Sequence, residues 1–76
     1  LHVNRTALTD AGGAELAKLV QLEELLLDET AVSDATLERL GSLKKLIRLD
    51  IRGTKVTASG VSSLQQALLS CAIRWK

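Results

Sequence analysis

Proline, phenylalanine, tyrosine and methionine are all absent from this sequence, and tryptophan, cysteine and histidine occur once each. With Trp75 as the only aromatic residue, any core must be built from leucine, valine, isoleucine and alanine. Such a uniform set of side chains suits stacked layers. Without proline, and with only five glycines, no stretch reads as an interdomain linker. One cysteine, Cys71, excludes an internal disulfide framework and cannot build a metal site alone. One histidine, His2, lacks the second His or Cys that a metal site or a catalytic constellation needs. Long apolar runs are missing as well, which excludes a transmembrane helix or a signal peptide within these residues.

Charge of one sign is also lacking. Ten Lys or Arg stand against nine Asp or Glu, leaving a formal net charge of +1. That balance provides no electrostatic footprint for a phosphate backbone or an anionic membrane, so neither nucleic acid nor membrane insertion is expected. Seventy-six residues suffice for one small domain. Leu1 already lies inside the pattern described next, which reads as a fragment of a longer chain.

What the sequence does have is a period. A shift of 24 residues superposes Leu1, Leu25 and Leu49; Val3, Leu27 and Ile51; and Thr6, Thr30 and Thr54. Further along each unit Leu8, Val32 and Val56 correspond, as do Thr9, Ser33 and Thr57, and Leu16, Leu40 and Leu64. Leu19 and Leu43 are answered by Ala67. The units run at about 1–24, 25–48 and 49–72, with a terminal cap strand over 71–76.

Alternation in Leu25-Leu26-Leu27 and Leu49-Asp50-Ile51 predicts short strands whose first and third residues share the buried side. The three-residue spacing of Leu37, Leu40 and Leu43 predicts one face of a helix. Thr9 and Ser33 are placed as helix N-caps, and Asp10 and Asp34 follow in the first turn, where the helix dipole favours a carboxylate. In the third unit Ala58 replaces the acid, so that helix should start more weakly and run longer. A path repeated every 24 residues makes consecutive strands parallel.

The patterns Leu22-x-x-Leu25-x-Leu27-x-x-Thr30-x-Val32 and Leu46-x-x-Leu49-x-Ile51-x-x-Thr54-x-Val56 resemble the leucine-rich-repeat signature over nearly the whole chain. Threonine stands where that signature has Asn or Cys, which resembles a 24-residue bacterial subtype. The resemblance implies an α/β solenoid, with parallel strands on a concave face and short helices on the convex one. Gly13 departs from it, standing where the other units have Leu37 and Val61, and predicts that the first unit packs loosely or leaves a small void there. Ser70, where Leu22 and Leu46 predict leucine, suggests that the register slips near the end, with Cys71 and Ile73 supplying the next inward positions.

Candidate chemistry is sparse. The threonine column should satisfy backbone groups in its own and neighbouring units, since a hydroxyl nucleophile would need a base within reach. Cys71 reads as a small buried apolar residue and Trp75 as a cover over the end of the core. Gly12-Gly13 belongs to no phosphate-binding pattern. Neither an enzyme nor a cofactor is expected. A protein-binding module is, with a structural spacer in a larger protein as the alternative. The expected partner-binding residues are Leu26, Asp28, Asp50, Arg52 and Arg48, pointing outward from the strands, with Glu24 beside Arg48 and Asp28 beside Arg52. Leu1, Val3 and the Gly13 layer should leave an apolar edge prone to self-association.

Overall fold

The computed structural model describes residues 1–4 and 6–75. Three helices alternate with three strands: α1 (Asp10–Leu16), β1 (Glu24–Leu26), α2 (Asp34–Leu40), β2 (Arg48–Asp50), α3 (Ala58–Ala67) and β3 (Ala72–Arg74). The strands form one open parallel sheet in the order β1-β2-β3. Each pairs with the next at a step of 24 residues, as Leu25 with Leu49 and Leu49 with Ile73. Residues 1–3 extend the outer edge of β1 through a parallel bridge of His2 to Leu26, with Leu26 N donating to Leu1 O and Val3 N to Leu26 O.

The core lies between sheet and helices. Leu25 and Leu49, and Leu27 and Ile51, point inward from the strands and are fully buried. They meet Leu37 and Leu40 from α2 and Val61 and Leu64 from α3, with Val3, Leu16, Ile73 and Trp75 half-buried against the same cluster. Trp75 is two residues beyond Ile73, so it continues the Leu27 and Ile51 column; it is part of the stack as well as its cover. Leu19, aligned with buried Leu43, is 45% exposed and outside the core.

The expected slip near the C-terminus is real but local. α3 has ten residues where α2 has seven, so the inward positions of the return segment move one residue on, from Leu43 and Leu46 to Leu68 and Cys71. The shorter return then restores the 24-residue step, and Arg48 pairs with Ala72. The third strand falls within the expected terminal strand; Lys76, its last expected residue, lies outside the described residues.

Gly13 is not beside a void. It is buried, and a Cβ on it would overlap the side chain of Thr36, so the glycine permits α1 and α2 to approach where a leucine would hold them apart. Among the described residues the threonine column bonds within its own unit: Thr6, Thr30 and Thr54 donate to the carbonyls of Val3, Leu27 and Ile51 at 2.7, 2.7 and 2.6 Å. The turn between strand and threonine takes a left-handed residue, Glu29 at φ 60° and Gly53 at φ 70°.

Candidate functional site: the outward face of the sheet

The 24-residue step sorts the outward side chains into rows across the strands. One row is Glu24, Arg48 and Ala72; the next is His2, Leu26, Asp50 and Arg74; beyond it come Asn4, Asp28 and Arg52. An open hollow of about 650 Å³ is lined by residues of the first two rows. Three of the five expected binding residues, Leu26, Arg48 and Asp50, line it, while Asp28 and Arg52 sit two positions past the ends of β1 and β2.

Burial corrects the expectation that all five are exposed. Arg48 and Arg52 are exposed and Leu26 is half-buried, but Asp28 and Asp50 are buried, at 9% and 6% exposure. Charges this far removed from water need partners. Asp50 has them: Arg52 donates from Nε at 2.9 and 3.1 Å and from Nη2 at 2.7 Å, and the Arg52 backbone N–H adds a bond at 3.2 Å. Those bonds from Arg52 hold the Asp50 carboxyl below its ordinary range, against the opposing effect of burial. The same contacts raise the Arg52 guanidinium.

The pair expected between Glu24 and Arg48 forms, at 2.8 Å. Glu24 also meets His2, whose Nε2 lies 3.3 Å from its Oε1. These hydrogen bonds, that from His2 foremost, keep Glu24 below its ordinary value. The sequence contained no local signal for the His2 contact, because the two residues meet only through strand pairing 22 positions apart. The second expected pair, Asp28 with Arg52, does not form. A guanidinium two residues from Asp50 on the same strand side closes the shorter ring, and Asp28 accepts instead from Asn4 Nδ2 at 3.4 Å.

Elsewhere the chemistry is structural. Cys71 is buried, and burial pushes its thiol upward, away from reactivity. The basic pair Lys44 and Lys45 ties return segments together, Lys44 donating to Ala67 O at 3.2 Å and Lys45 to Gln21 Oε1 at 2.6 Å. Lys18 lies in the turn after α1 and not on the helix. A second hollow, of about 320 Å³, runs between α2 and α3 past Gly41, Ser59, Gly60 and Ser63. Among the described residues, no group of three His, Cys, Asp or Glu is arranged to hold a metal ion, and no helix is long and apolar enough to cross a membrane. In comparisons with known proteins, no family model, curated protein or solved structure matches the chain.

Proposed function

We propose that the chain is a leucine-rich-repeat segment of a solenoid, and that it binds a protein partner through the concave, outward face of its strands. The single observation that carries this reading is the hollow between Glu24, Arg48 and Arg74, where exposed arginines stand next to half-buried Leu26. Interface centres combine an apolar contact with arginine in this way. The 24-residue parallel register supports the solenoid, since it gives every unit the same path and collects equivalent side chains into rows.

The inward-tied carboxylates divide the five expected residues by role. Asp50 orients Arg52, and Asp28 rests against Asn4, so both act as supports; Leu26, Arg48 and Arg52 make the contact surface. Reversing the charge of Arg52 would leave Asp50 buried without its partner and would confound folding with binding. A photo-crosslinking residue avoids that difficulty. Placed at exposed Ala72 on the sheet face, it is expected to give a discrete protein adduct in cells, whereas at exposed Ser63 on α3 it gives none. An adduct from Ser63 alone moves the site to the helices. No adduct from either position, together with unchanged function of a protein carrying Arg48→Glu, favours the alternative of a structural spacer.

A further inference from the structure

The outward face of the sheet carries a charge pattern. Every carboxylate in it has an arginine one 24-residue step later: Glu24 and Arg48, Asp28 and Arg52, Asp50 and Arg74. The first pair is closed at 2.8 Å. Arg52 has turned to Asp50, whose oxygens it occupies, and this leaves Arg74 with no carboxylate in hydrogen-bonding contact among the described residues. Arg74 is exposed on the edge strand, a planar fork of five N–H donors without an acceptor.

Beside it the row of Glu24 and Arg48 ends in Ala72. The alternation of negative and positive charge therefore stops at a methyl group, in a place flanked by Arg48 about 4.8 Å away across the sheet and by Arg74 about 6.7 Å along the strand. A negative group there would continue the alternation and meet the Arg74 fork together with the Arg48 nitrogens that Glu24 does not engage. The net charge of +1 and the acids Glu24, Asp28 and Asp50 on the same face fit a single carboxylate and not a phosphate track.

We propose that this end of the face receives an acidic peptide segment, a Glu or Asp side chain seated above Ala72 between Arg48 and Arg74, with an apolar neighbour against Leu26. The proposal rests on the strand-face reading above and adds the chemistry of the partner. Bidentate arginine-carboxylate recognition supplies the specificity, and salt weakens the binding because the site is open to solvent.

The test is a chemical-shift titration of the whole chain with the blocked peptide Gly-Leu-Glu-Gly, its Gln and Lys counterparts, and a short deoxythymidine oligonucleotide. The Glu peptide is expected to move the amide signals of Arg48, Ala72 and Arg74 and to bind at least about tenfold more tightly than the Gln peptide. Arg74→Gln should remove that difference and Lys18→Gln should leave it intact. Ala72→Glu, which fills the place from within the chain, should block the Glu peptide while keeping the spectrum of the folded protein. Equal binding of the Glu and Gln peptides at these residues overturns the carboxylate site and leaves the strand-face reading standing. Preference for the Lys peptide, or the absence of any shift with the Glu peptide, overturns it too. Shifts confined to α1, α2 and α3 overturn both readings, and tighter binding of the oligonucleotide replaces the peptide by a nucleic acid.

Discussion

Asp10 accepts hydrogen bonds from both the backbone N–H and the hydroxyl of Ser33, at 2.8 and 2.6 Å, across a gap of 23 residues. Its first oxygen also accepts from the hydroxyl of Thr36 at 2.6 Å. Asp34 repeats the contact one unit later, with Thr57 N at 2.9 Å and Thr57 Oγ1 at 2.6 Å. Each acid thus fixes the residue that caps the next helix, since Ser33 Oγ accepts from Ala35 N and Thr57 Oγ1 from Gly60 N. Asp10→Ala should destabilise the protein by about 2 to 3 kcal/mol, because it strands Thr36, which is only 1% exposed; Asp34→Ala, with no third bond, should cost about 1 kcal/mol. Urea denaturation that ranks the two in the opposite order would contradict this account.

Those hydrogen bonds, from Ser33 first and Thr36 next, hold the Asp10 carboxyl at about 2, below its ordinary 3.8. A folded-state value below the unfolded one means that the stabilisation is complete above about pH 4 and is lost as the pH falls toward about 2. Urea midpoints measured across that interval should drop more steeply for the natural chain than for Asp10→Asn. Parallel curves would remove Asp10 from the acid response.

Leu27 is fully buried between Val3 and Ile51, and cutting it to alanine should cost about 2 to 5 kcal/mol. Leu26, its half-buried neighbour on the outward face, should cost about 1 kcal/mol. If the two variants unfold at the same denaturant concentration, the inward and outward assignments are wrong.

Gly13 carries the close approach of α1 to α2. Gly13→Ala forces a methyl group into Thr36 and should destabilise by about 1 to 3 kcal/mol. Combined with Thr36→Ala it should cost less than the sum of the two single changes, since the obstructing atoms are gone. Strict additivity would mean that the overlap is relieved elsewhere.

At the left-handed turn the two units differ in residue type. Glu29 adopts φ 60°, which burdens a side chain, and Gly53 adopts φ 70° without that cost. Glu29→Gly should therefore raise stability by up to about 1 kcal/mol and Gly53→Ala should lower it by about as much. Thermal melts that shift both variants downward would show that the Glu29 side chain, which lies over Gly53, outweighs its backbone conformation.

The strand edge at residues 1–3 predicts self-association, with a changed set of residues. Gly13 is buried and takes no part; Leu1, Leu19 and Val20 are exposed, at 44%, 45% and 52%, around a hollow of about 650 Å³ that also includes Lys18 and Glu23. Apparent mass by light scattering should rise with concentration, and Leu19→Lys with Val20→Lys should abolish the rise. A constant monomer mass at high concentration removes the prediction.

The period made much of this legible. Leu25, Leu27, Leu49 and Ile51 announce the inward rows, Ser33 and Asp34 the start of α2, and the 24-residue step the parallel register. The errors came where a side chain chooses among partners that the register brings equally close. Arg52 reaches Asp50 and not Asp28, and Asp10 reaches past its own helix to Ser33, because ring size and burial decide and spacing alone does not. Gly13 misled for a related reason: the space opposite a missing side chain is filled by Thr36, from an unmatched position of the next unit. On the sheet face the rows were readable, but the depth of Asp28 and Asp50 depends on how neighbouring side chains fold over them.

The acid ladder from Asp10 to Ser33 and from Asp34 to Thr57 runs in one direction only and stops where Ala58 offers no carboxylate. The starts of α2 and α3 each take their fastening from the unit before, while Thr9 at the start of α1 makes no side-chain cap bond. The coupling these bonds provide is mutual, but what each side loses differs: loosening the first unit releases the capping residue of the second, whereas loosening the third leaves the Asp34 carboxylate without its Thr57 donors. Opening that stops short of Thr57 leaves both fastenings in place, so the C-terminal strand can part from the sheet without releasing the start of α2 or of α3.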